Sequence, residues 1–137
     1  MKRVFLIVAS SFLMVSLYAQ EALVSAKVSS NMEAAFSWED GLNYDFGKIV
    51  QNQPASHKFV FTNTGNEPLI ISSAKGSCGC TVTEYSTEPI APGAQGMVMA
   101  TYNAKKLGTF SKTVTVNANT GNPVILKVKG EVVASTK

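Results

Sequence analysis

Apolar and polar positions change their rhythm once along this chain, near Ala34. Before that point, Val4 to Leu17 form an almost continuous apolar run, softened only by serines, behind the basic start Met1-Lys2-Arg3. After it, short runs with a period of two recur between turn residues, which is the pattern of strands with one buried face. Ala35 to Glu39 carries Phe36 and Trp38 at alternate positions, and Tyr44 to Ile49 follows the turn residues Asp40 and Gly41. The two read as a first strand broken in two. Ala55 to Thr62 places Phe59 and Phe61 on one face with Lys58 and Thr62 on the other. Asn63-Thr64-Gly65-Asn66 closes that strand as a turn, because Gly and Asn tolerate positive φ.

Leu69 to Ser73, Thr81 to Tyr85, Met97 to Tyr102, Phe110 to Ala118 and Val124 to Val133 complete the set of expected strands. In the last of them Leu126, Val128 and Val132 are expected inward, and Lys127, Lys129 and Glu131 outward. Pro89, Pro92 and Gly93 mark a loop, and Asn119 to Pro123 a turn. About seven short strands separated by turn signals every ~8 to 12 residues predict an all-β domain, an immunoglobulin-like antiparallel β-sandwich. A closed barrel shares the same alternation, so periodicity alone does not choose. Length and a Greek-key tendency favour the sandwich.

The apolar run at the start is shorter than the ~20 residues of a membrane span, and Tyr18-Ala19-Gln20 offers a small-residue cleavage position. Residues 1–19 therefore read as a signal peptide, 20–33 as a flexible lead-in and 34–137 as one immunoglobulin-like domain. A retained anchor is the competing reading. The absence of a cysteine directly after the run argues against a lipoprotein. The expected location is exported, periplasmic or extracellular, with no membrane span after leader removal.

Charge changes the picture little. The chain has 12 basic and 9 acidic residues, and losing Lys2 and Arg3 with the leader brings the net charge from +3 to +1. No arginine follows Arg3, and Lys105-Lys106 is the one adjacent lysine pair after the start. Forked guanidinium contacts and clustered positive charge are what nucleic-acid recognition uses, so no nucleic-acid partner is expected.

Candidate chemistry is equally sparse. The single histidine, His57, shares parity with Phe59 and Phe61 near the start of its strand, and reads as a residue capping the edge of the core. Glu39 with Asp40, and Glu84 with Glu88, read as solvated charge near turns. No catalytic residue, metal ligand or cofactor is predicted, and the chain is not expected to be an enzyme.

Cys78 and Cys80 are the exception, as a candidate disulfide or thiol pair. In an exported chain disulfides persist. On an extended strand, residues i and i+2 hold their Cβ atoms too far apart for the ~3.8 Å a bridge needs, so Gly79 is expected to bend the chain. The resulting small ring would be strained and easily reduced, and would close almost no loop. Four readings stay open: a local disulfide with a shaping role, buried thiols, a redox-active pair, and a soft-metal site suited to Cu(I).

An ordered set of motifs carries a resemblance. Asp45-Phe46-Gly47-Lys48-Ile49, Phe59-Val60-Phe61-Thr62-Asn63-Thr64-Gly65, Pro68-Leu69-Ile70-Ile71, Ser77-Cys78-Gly79-Cys80-Thr81, Ala91-Pro92-Gly93 and Gly108-Thr109-Phe110 resemble the bacterial family catalogued as domain of unknown function 1573. The match runs from Asp45 to Val133. It implies an immunoglobulin-like sandwich in exported proteins and no established activity. The expected function is an envelope binding or scaffold module, its protein partner met by the loops Lys75 to Thr81 and Glu88 to Gly96. The alternative is a thiol-redox or copper-handling protein using Cys78 and Cys80.

Overall fold

The computed structural model describes residues 33–136; the leader and all but the last residue of the lead-in lie outside them. Eight strands form: β1 (Phe36–Trp38), β2 (Asn43–Val50), β3 (Ala55–Asn63), β4 (Ile71–Gly76), β5 (Thr81–Tyr85), β6 (Gln95–Tyr102), β7 (Gly108–Ala118) and β8 (Val124–Val133). They build two four-stranded sheets, β1-β3-β6-β5 (sheet I) and β2-β8-β7-β4 (sheet II). This is an all-β sandwich with its core between the sheets.

The alternation places the core as read. Phe59, Phe61, Val98 and Ala100 enter it from sheet I, and Val114, Val116, Leu126 and Val128 from sheet II, all but fully buried. Lys127 and Lys129, which alternate with the last two, stay exposed. A smaller cluster of Tyr102, Ala104, Phe110 and Val132 closes one end, with the Tyr102 and Phe110 rings stacked at 3.9 Å.

The broken first strand proves to be two strands in different sheets. β1 runs antiparallel to β3 with Phe36 opposite Asn63, whereas β2 runs parallel to β8 with Asn43 opposite Lys127. The turn between them, with Gly41 at φ 73°, carries the chain from one sheet to the other. That crossing raises the strand count to eight and makes β2–β8 the one parallel pairing among the described strands. The register of β2 shifts between Asp45 and Lys48, where the Asp45 carboxylate accepts the Gly47 N–H at 2.8 Å. This bulge and its charges blunt an exposed edge.

Candidate functional site

The Cys-Gly-Cys segment is the corner at which β4, the edge of sheet II, passes to β5, the edge of sheet I. The edges nearly touch there: a Cβ on Gly76 would lie 2.7 Å from the Thr81 carbonyl oxygen and 2.9 Å from the Thr81 Cβ. The loop that follows is tied to both sheets. Ser77 N–H donates to the Thr113 carbonyl at 2.8 Å, and its Oγ accepts the Thr113 N–H at 3.2 Å. On the other side Asn103 N–H donates to the Cys80 carbonyl at 3.0 Å, while Thr81 N–H reaches the Cys78 carbonyl at 3.3 Å.

Cys78 and Cys80 are joined as a disulfide, with their Cα atoms 5.3 Å apart. The Cys80 N–H points at Cys78 Sγ at 3.3 Å. Cys80 packs against the Tyr102–Phe110 cluster. Gly79 stands exposed at the tip, where an added Cβ would meet nothing within 4 Å. The chain turns at Gly79 as expected, but without a positive φ there. The residue that must be glycine at this corner is Gly76. Chemically, the bridged pair carries no thiolate, so in this state it offers neither a nucleophile nor a soft-metal ligand. What it does is hold an exposed tip in one shape.

Thr81, at the foot of the corner, is 6% exposed, and its hydroxyl has no hydrogen-bond partner among the described residues. Nearby in the sandwich, His57 stacks on Tyr44 across the two sheets at 3.5 Å and 8°, and meets Phe59 edge-on. Its Nε2 is buried without a partner. Burial holds its pKa below the usual 6.5, against a smaller upward pull from Asp40. His57 is an inter-sheet packing residue.

The two loops expected to meet a partner are not brought together. Thr81 pairs with Tyr102, at the end of β6, whereas the loop Glu88 to Gly96 runs into Gln95, at its beginning. At ~3.4 Å per residue they sit roughly 24 Å apart, at opposite ends of the sandwich. The second loop is also held down. Asn63, read from sequence only as a turn residue, is fully buried and clamps three segments. Its Oδ1 accepts the N–H of Ala35 at 3.3 Å and of Gly65 at 3.0 Å. Its Nδ2 donates to the carbonyls of Glu67 at 2.7 Å and Ile90 at 2.9 Å. The available signal was parity, since Asn63 follows Phe59 and Phe61 on the inward face.

With this geometry in place, comparison with known proteins is informative about fold. A family model described as "Protein of unknown function (DUF1573)" matches residues 36–132. No curated protein matches the chain. Among solved structures, a protein of unknown function from Porphyromonas gingivalis W83 is similar at 14% identity and TM-score 0.65, over 77% of this chain and 50% of that one. The secreted serine protease VesC of Vibrio cholerae is similar at 14% identity and TM-score 0.52, over 78% of this chain and 24% of that one. The PapD-like domain 7 of human CEP192 is similar at 8% identity and TM-score 0.57, over 77% and 88%. The chain thus spans half or less of the length of the first two, and at these identities the likeness is one of fold alone.

Proposed function

The chain belongs to the DUF1573 family of proteins of unknown function, and we propose that it serves there as a non-catalytic binding or scaffold module of the cell envelope, exported by the leader read at residues 1–19. The observation that carries this reading is the Cys78–Cys80 corner, an exposed tip braced by hydrogen bonds to Thr113 on one sheet and Asn103 beside the other. A rigid protruding loop on a rigid sandwich is how such scaffolds present a recognition surface, because little ordering entropy is lost on docking. The loop Glu88 to Gly96 is the second docking candidate, at the other end.

Pull-down from envelope extracts tests the proposal, using the intact chain beside variants altered at Gly79 and in the loop Glu88 to Gly96. A partner whose capture falls at least tenfold with one loop changed is expected. Capture indifferent to every surface change would count against a binding module. The alternative, thiol-redox or copper handling, needs the bridge opened first; a disulfide that withstands mild reductant in the native protein removes it.

A further inference from the structure

Two of the sandwich's four edges close on each other. β4 and β5 meet through the Thr83 hydroxyl, which donates to the Ala74 carbonyl, and through the contact of Gly76 with Thr81. The opposite side is open among the described residues. β1 has β3 as its one neighbour among the described strands, and it spends the backbone groups of its odd positions there. Thr64 N–H donates to the Ala35 carbonyl, and Glu39 N–H donates to the Val60 carbonyl. Alternation then turns the N–H and C=O groups of Phe36 and Trp38 outward, away from β3.

Among the described residues, β8 is open in the same region. Its pairing with β2 begins at Lys127, whose N–H donates to the Leu42 carbonyl at 2.7 Å. Val124 to Leu126 therefore extend past the end of β2. Between these two half-paired stretches lies a cleft of about 670 Å³, with Phe36, Trp38, Leu42, Pro123 and Val124 in its lining. The Phe36 and Trp38 rings stack at 5.0 Å, and Leu42 is 38% exposed. Glu33 is the one charged residue lining the cleft among the described residues; the exposed Asp40 stands in the turn after β1, where the neighbouring Glu39 accepts a hydrogen bond from Gln95 Nε2.

We propose that this cleft is a strand-docking site for an extended partner peptide with apolar residues at alternate positions and flanking lysine or arginine. Main-chain hydrogen bonds to Phe36 and Trp38 would add a strand to sheet I, alternate apolar side chains would rest on the aromatic pair and Leu42, and the acidic rim would select basic flanks. The proposal rests on the reading of the chain as a binding module, and assigns that module a site on neither of the two loops.

Trp38 is the chain's only tryptophan, so its fluorescence reports on the cleft directly. The intact chain is titrated with three synthetic nine-residue peptides: a Val/Thr alternation flanked by lysines, the same flanked by glutamates, and the lysine peptide with a central proline. A saturable change in Trp38 emission with the lysine peptide is expected, at least tenfold weaker with the glutamate or proline peptide, and lost in Leu42→Asp, whose exposed position leaves the fold intact. Glu33→Lys is expected to reverse the preference between flanks. No saturable response to the lysine peptide, or equal response to the proline peptide, overturns the site. If a partner's capture from the envelope depends on the Cys-Gly-Cys corner and is untouched by Leu42→Asp, the cleft proposal falls while the binding-module reading stands.

Discussion

Asn63 carries four side-chain hydrogen bonds from a single buried position, and each of its partners is a backbone group that no apolar replacement can satisfy. At a net ~1 kcal/mol per bond, Asn63→Ala is expected to cost about 3–4 kcal/mol in denaturant unfolding. A loss below about 1 kcal/mol would show that the clamp is dispensable. His57 ties stability to pH. Its folded pKa lies below 6.5, so the unfolded chain binds the proton first. The contribution of neutral His57 is complete above pH 6.5 and is lost as pH falls from there toward the folded value. His57→Phe is expected to flatten the stability profile below pH 6.5, read as urea midpoints. An unchanged slope would place the pH dependence on other groups.

The corner between β4 and β5 depends on two glycines in different ways. Gly79→Ala places a methyl in open space without a positive φ, so stability is expected to stay within about 0.5 kcal/mol of the parent. Gly76→Ala drives a Cβ into Thr81 backbone and is expected to cost 2 kcal/mol or more, roughly the scale of an overpacked core site. Thermal melts of the pair decide it, and equal losses would refute this account of the corner. The disulfide itself closes a three-residue ring, for which chain entropy yields about 1.6 kcal/mol at most, half of the ~3 for a fifteen-residue loop. The double change of Cys78 and Cys80 to serine is therefore expected to leave a folded protein. Its effect belongs to the shape of the tip.

Across the whole molecule, pairings join distant parts of the chain. β2 lies beside β8 with Asn43 opposite Lys127, and β3 beside β6 with Ala55 opposite Tyr102. Few contacts are rewarded before long loops are closed, so folding is expected in the millisecond-to-second range that sandwiches show. Stopped-flow refolding followed by Trp38, with the bridge intact, measures this. A microsecond phase carrying the full amplitude would contradict it. Because β8 pairs with both β2 and β7, its loss would leave β2 without a neighbour and sever it from β7 and β4.

The family was legible in its ordered motifs. Side-chain period was a local property, and with it came the inward sets Phe59/Phe61, Val114/Val116 and Leu126/Val128 and the turns between strands. Those follow from one residue's preference for water beside the next. Partner strands were not local. The parallel pairing of β2 with β8, the transfer of the first strand between sheets, and the burial of Asn63 depend on segments 27 to 84 residues away. The Cys-Gly-Cys corner shows the division most sharply. A bridge was one of four readings its spacing left open, and which glycine the corner required, and that its tip stands at the far end of the sandwich from the loop Glu88 to Gly96, were decided by how two sheet edges meet in space. The open cleft beside Trp38 was likewise invisible in sequence, since it is formed by what two edges leave unpaired.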